Sequence, residues 1–324
     1  MKSEVKGILL IILSACSFGS IGIISRVAIA RGGGETSIML IRFFSVSLFF
    51  AVYMRLRGIS WRVGRKNFLG LMVLGLFFYG NVALMYFLAM KYISPSLGAL
   101  ILYSYPALVM VGSIFFLGES FSGAKLSALL ISFAGCAVVL WGPLGSIDFR
   151  GVLFAALTAI FYSAYIIGSR KILSNVSSLV VSAYMAVWCF VFFLIYGAFS
   201  GYEGFSLSSV NITTGLALAV WCTVIGFLAF LGGLKIVGAQ NASIISTFEP
   251  LYTILLAWLL LGDQISRRQI FGGLLILSGV ILLNLMGSRK KAQARRLAAA
   301  APGAAAGIGV TETLPAEQEA EAGV

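Results

Sequence analysis

The sequence predicts an all-α integral membrane protein, with ten transmembrane helices arranged as two inverted five-helix repeats. Three observations carry that expectation. Of the 324 residues, 60% are hydrophobic and 10% charged, and the mean hydropathy is +1.02; that is more apolar surface than a single water-exposed core can hide. The apolar residues come in continuous runs rather than in alternation, which suits helices in lipid and argues against a closed β-barrel. The chain also repeats itself at an interval of 144 residues.

The repeat is clearest in residues 103–119, YSYPALVMVGSIFFLGE, which return at 247–263 as TFEPLYTILLAWLLLGD. Pro106 matches Pro250, Gly118 matches Gly262, and Glu119 matches Asp263. The same interval relates Gly7 to Gly151, Arg26 to Arg170, Lys91 to Lys235 and Gly135 to Gly279. The register therefore holds from the first apolar run to the last, with residues 1–143 as the first repeat, 144–288 as the second and 289–324 as a tail.

Apolar runs of about 17 to 25 residues, the length that crosses a bilayer, are separated by charged and turn-forming residues. They fall at 7–30, 37–54, 68–90, 96–117, 124–141, 151–169, 178–199, 213–233, 241–261 and 269–287. The first lacks the small-residue cleavage site of a signal peptide and reads as a retained helix. After Gly287 a basic cluster gives way to Ala, Gly, Pro and Glu, a composition that predicts a disordered tail.

Orientation follows from the basic residues in the connections. With the N-terminus in the cytoplasm, sixteen of the 23 Lys and Arg residues fall on the cytoplasmic side, six fall on the other, and Arg42 lies within a span. Both termini are thus expected to be cytoplasmic. The net charge of +12 is accounted for by this bias and by contact with anionic lipid, not by nucleic acid. Five spans per repeat is an odd number, so the second copy enters from the opposite face. Inverted repeats of this kind are the plan of secondary transporters, in which two related halves exchange conformations.

Other classes find little support. The chain has no histidine, and its four cysteines lie in apolar stretches without metal-type spacing. No phosphate-binding loop, dinucleotide fingerprint or hydrolase motif occurs, so neither an enzyme nor a nucleotide-driven pump is expected, and no cofactor is implied.

The run FEPLYTILLAWLLLGD followed by GGLLILSGVILL, with its weaker twin in the first half, resembles the EamA-type branch of the drug/metabolite transporter superfamily over about residues 6 to 287. The resemblance implies ten helices, a central cavity lined by helices 1, 3, 4, 6, 8 and 9, and export of small metabolites, often amino acids. One departure is that Tyr105 stands in the first repeat where Glu249 stands in the second.

Glu249 is the one acid well inside a predicted span. It lies about eight residues from the start, roughly 12 Å deep. A carboxylate there is costly unless paired or hydrated, which makes it a candidate for binding a substrate amine or a proton; the alternative is a protonated side chain that satisfies backbone freed by Pro250. Pro106 and Pro250 are candidate hinges, since each removes a helix hydrogen bond at the same place in its repeat. Tyr79, Tyr86, Tyr103, Tyr162, Tyr165 and Trp221 fall on the helices that the resemblance places around the cavity, and their polar tips need partners in a dry interior. Asn81, within the third span, is a further candidate for the cavity. Arg42 is expected to snorkel to the outer interface; the alternative is that it meets an anion or a carboxylate partner, Glu249 included.

Together these readings predict an inner-membrane secondary transporter that exports a small metabolite, amino acids first, by alternating access. Sugars, amines and nucleobases are the other substrate classes, and a non-transporting membrane scaffold is the alternative role. Its expected partners are a small-molecule substrate and the lipid bilayer. Proton coupling and facilitated diffusion both fit one buried acid, and monomer and homodimer are equally open.

Overall fold

The structure, a computed structural model, describes residues 2–141, 148–200, 205–262 and 264–300. Asp263 and the tail beyond 300 lie outside the described residues. The chain through Leu283 forms one compact unit and the residues from Asn284 a second.

Among the described residues every regular element is a helix. In the first repeat these are α1 (Lys2–Ala30), α2 (Glu35–Leu56), a long run made of α3 (Arg65–Met72), the π-helical π1 (Val73–Tyr79) and α4 (Gly80–Met90), then α5 (Pro95–Leu102), α6 (Tyr105–Leu117) and α7 (Gly123–Val139). The second repeat follows the same plan: α8 (Phe149–Ile172), α9 (Ser178–Phe199), the run α10 (Ser209–Ala217), π2 (Leu218–Ile225) and α11 (Gly226–Val237), then α12 (Ala239–Ser246), α13 (Glu249–Leu261) and α14 (Arg267–Ala300). Among the described residues eight helical runs are long and apolar enough to cross a membrane. Eight of the ten expected spans meet this measure; α7, though apolar, has only 17 residues, and α14 is not among the eight.

Polar punctuation sets the helix starts. Ser94, Ser177 and Ser208 each accept a hydrogen bond from the backbone N–H three residues on, at 3.2 to 3.4 Å, satisfying donors that a helix leaves free at its N-terminus. The ends of α6 and α13 are set by Gly118 and Gly262, at φ +66° and +70°, a left-handed conformation that favours glycine at this position.

Two spans expected to be continuous are interrupted. The chain turns at Tyr103 and Ser104 between α5 and α6, and at Thr247 and Phe248 between α12 and α13. These turns are related by the 144-residue interval. Pro106 and Pro250 follow them, in the first turns of α6 and α13, where a missing N–H has no intrahelical partner to lose.

The repeats pack reciprocally. A Cβ on Gly7 of α1 would meet Ile236 and Val237 at 2.7 to 2.9 Å, and one on Gly151 of α8 would meet Ile93 and Tyr92 at 2.7 to 3.0 Å. Each of these contacts is the other shifted by the repeat interval with the halves exchanged, the pattern a two-fold relation between repeats produces. Aromatic stacking adds to it where α2 meets α9, with Phe43 and Phe193 ring centres 5.5 Å apart.

Candidate functional site

A cavity of about 590 Å³ lies among α1, α2, the π1–α4 run, α5, α9 and α13. Most of its wall is apolar. One end reaches Glu35, which is exposed; Phe18, Gly19, Glu249 and Pro250 also line it.

Glu249 is the first residue of α13. The interruption before it leaves the opening N–H groups of α13 without intrahelical acceptors, so the positive end of a half-helix stands beside the cavity together with a carboxylate. Gly19 lets α1 approach closely here: Thr253 Oγ1 donates to Gly19 O at 3.0 Å, with Glu249 O 3.1 Å away as an alternative acceptor.

Arg42 lines the same cavity and is only 3% exposed. Its Nε donates to Thr223 Oγ1 of π2 at 2.6 Å, and its guanidinium lies 5.1 Å from the Phe43 ring centre. The expected snorkelling to an interface is therefore not what this side chain does. Arg42 and Glu249 form no ion pair with one another among the described residues. Tyr79, the last residue of π1, lines the cavity with them.

Of the candidates drawn from the sequence, Tyr79, Tyr86, Tyr103, Glu249 and Pro250 line this cavity. Tyr162 and Tyr165 stand behind it in an aromatic cluster, with ring centres of Tyr105 and Tyr162 at 4.7 Å, of Tyr79 and Tyr165 at 4.9 Å, and of Tyr165 and Phe230 at 6.3 Å. Trp221 donates its Nε1 to Ser20 Oγ at 3.0 Å, tying π2 to α1. Asn81 donates its amide to Phe77 O at 2.6 Å, one turn back in its own helical run. Pro106 is buried away from the cavity. The family resemblance gave no place to helix 2, yet Glu35, Met39 and Arg42 of α2 face the cavity, while π2 and α11 contribute none of its wall.

The arrangement suits holding a small amphipathic molecule: an apolar chamber, aromatic walls, one guanidinium and the carboxyl groups of Glu35 and Glu249. Among the described residues no group of three His, Cys, Asp or Glu side chains is placed to hold a metal ion.

Fold and cavity define a multi-pass helical membrane protein built from two repeats. The model of the EamA-like transporter family matches residues 5–141 and again residues 149–285, so the chain belongs to that family of membrane transporters. Among similar proteins, an uncharacterized inner membrane transporter, YicL, of Salmonella typhimurium is 25% identical over 91% of this chain and 100% of its own length. An uncharacterized transporter of Archaeoglobus fulgidus is 28% identical over 84% of this chain and 94% of its own. YvbV of Bacillus subtilis, also an uncharacterized transporter, is 28% identical over 66% and 72%. A crystal structure of a protein superposes with a TM-score of 0.74 at 21% identity, covering 87% of this chain and 98% of that one, and this likeness establishes the fold.

Proposed function

We propose that the protein is a secondary transporter of the inner membrane that exports a small metabolite, amino acids first, by alternating access between two five-helix repeats. In this reading the ten apolar runs all cross the bilayer, the repeats have opposite orientation, and both termini are cytoplasmic. The observation that carries it is Glu249, a carboxylate on a cavity wall at the start of the second half of an interrupted helix. Discontinuous helices at a repeat interface are where secondary transporters bind substrate and coupling ions. A carboxylate there binds a substrate ammonium, a proton, or each in turn. The matching interruptions ahead of Pro106 and Pro250 supply two joints at which half-helices tilt, which supports their assignment as hinges.

Uptake of labelled amino acids into proteoliposomes, with and without an imposed pH gradient, tests this for the wild type and Glu249→Gln. Saturable uptake is expected, with the substitution lowering it. Loss of the gradient response in Glu249→Gln identifies a proton-linked carrier. Equal behaviour of the two proteins removes Glu249 from the mechanism, and absence of any amino-acid flux overturns the substrate class.

A further inference from the structure

Arg42 is a charge that packing alone does not explain. It sits seven residues into α2 and is 3% exposed, in a chain whose helices cross a membrane, where a guanidinium is costly unless something compensates it. A guanidinium carries five N–H donors. Nε is spent on Thr223 Oγ1 at 2.6 Å, and Nη1 faces only Met39 Sδ at 4.0 Å, a weak acceptor. No carboxylate is paired with it among the described residues. Glu249 lines the same cavity without closing onto it. Glu35, the other acid on the wall, precedes Arg42 by seven residues, about 10 Å along the helix, and lies in the field of Lys91.

Thr223 explains how the guanidinium is held. Its hydroxyl donates to Leu218 O, five residues back in π2, at 3.0 Å, which leaves an oxygen lone pair for Arg42 Nε. The anchor is neutral, so it fixes the side chain without neutralising it. The remaining Nη donors are left for whatever enters the cavity.

We infer that Arg42 is the anion-binding subsite of this cavity, so that the ligand carries a carboxylate toward Arg42 and an ammonium toward Glu249 and is taken as a zwitterion. This rests on the reading of the cavity as the transport site and names which two groups hold the two ends. The Tyr79 phenol lines the same chamber and offers such a ligand a further polar contact. The apolar wall then faces the side chain, and an aromatic one suits the tyrosine and phenylalanine lining.

Three probes of common shape separate the two ends: L-phenylalanine, phenethylamine, which lacks the carboxylate, and 3-phenylpropionate, which lacks the amine. Their binding to purified full-length protein in detergent is measured for wild type, Arg42→Gln, Arg42→Lys and Glu249→Gln. Arg42→Gln is expected to weaken L-phenylalanine and 3-phenylpropionate by about tenfold or more, as for loss of a charge-assisted hydrogen bond, and to leave phenethylamine within about twofold. Arg42→Lys recovers part of the loss, because the charge returns without the planar fork. Glu249→Gln shows the complementary pattern. A merely structural Arg42 weakens all three probes alike in Arg42→Gln, and that result overturns the inference, as does no change at all. If Arg42→Gln does not fold, the wild type decides: L-phenylalanine is expected to bind at least about tenfold tighter than phenethylamine, and parity overturns the subsite. Binding of phenethylamine alone rejects Arg42 and leaves Glu249 standing, whereas failure of all three probes rejects the amino-acid reading and the subsite together.

Discussion

The carboxylate of Glu119, which follows α6 in the first repeat, accepts hydrogen bonds from Ala239 N at 2.8 Å and Gln240 N at 3.3 Å, the first two backbone N–H groups of α12 in the second. An acid at this place satisfies donors the helix leaves free and sits at the positive end of its dipole. A second set of bonds runs beside it. Gln240 Nε2 donates to Ser113 Oγ at 2.8 Å, and Lys125 Nζ donates to Gln240 Oε1 at 2.8 Å, so the repeats are joined here through polar groups.

Glu119→Ala is expected to destabilise the protein by about 1 kcal/mol, the usual effect of losing a helix cap. Thermal unfolding in detergent measures the loss. Hydrogen exchange locates it: the amides of Ala239 and Gln240 exchange faster in the variant, with little change in α1 or α9. Unchanged exchange at these two amides would show that the cap contributes nothing to holding the repeats together.

The crossing of α7 and α14 makes a sharper prediction, because backbone meets backbone there. A Cβ on Gly272 would lie 2.8 Å from Gly135 O, and one on Gly135 would lie 2.7 Å from Gly272 O. The repeat-related glycine, Gly279, would place its Cβ 2.8 Å from Ala128 O. A carbonyl cannot rotate away as a side-chain tip can, so Gly272→Ala forces the helices apart, at about 1 to 3 kcal/mol. Gly232→Ala is the control, since the nearest atom is the tip of Leu10 at 3.5 Å, an ordinary contact. The midpoint of thermal unfolding should fall for Gly272→Ala and stay or rise for Gly232→Ala; equal behaviour would mean that the close crossing is not maintained in solution.

Much of this fold was legible because membrane helices announce themselves by uninterrupted apolar length. The repeat interval was legible too, since Pro106, Pro250, Gly118 and Gly262 are conspicuous in apolar surroundings. The interruptions were not. In residues 96–117 the break falls on Tyr103 and Ser104, residues that helices in lipid also carry, so periodicity reads one helix where the chain makes two, and Pro106 draws attention two residues past the turn. Among site residues, an acid or a tyrosine in an apolar run can be singled out by type, but its direction cannot. Tyr79 and Tyr165 differ in nothing the sequence shows, yet one lines the cavity and the other stands behind it. For Arg42 the distance to the helix end allows both snorkelling and an anionic partner; the hydrogen bond to Thr223, 181 residues away, is what turns it inward.

Gly22 separates the cavity from the packing around it. It lines the cavity, and a Cβ built there meets nothing within 4 Å. Gly19, three residues earlier on α1, also lines the cavity, but its Cβ would lie 2.9 Å from Thr253 Oγ1 and 3.1 Å from Glu249 O. The two glycines therefore answer the same substitution differently. Gly22→Ala removes the backbone freedom of a mid-helix glycine without a clash and is expected to stabilise by up to about 1 kcal/mol while leaving L-phenylalanine binding within about twofold. Gly22→Phe keeps the fold but puts a ring into the chamber, and binding should fall by at least about tenfold. Gly19→Ala pushes on the first turn of α13, the turn that carries Glu249, and is expected to lower stability and binding together. Measuring thermal midpoint and L-phenylalanine affinity for the three variants checks the set. If Gly22→Phe binds as the wild type does, the ligand does not occupy this cavity, and Glu249 and Arg42 lose their assigned roles with it.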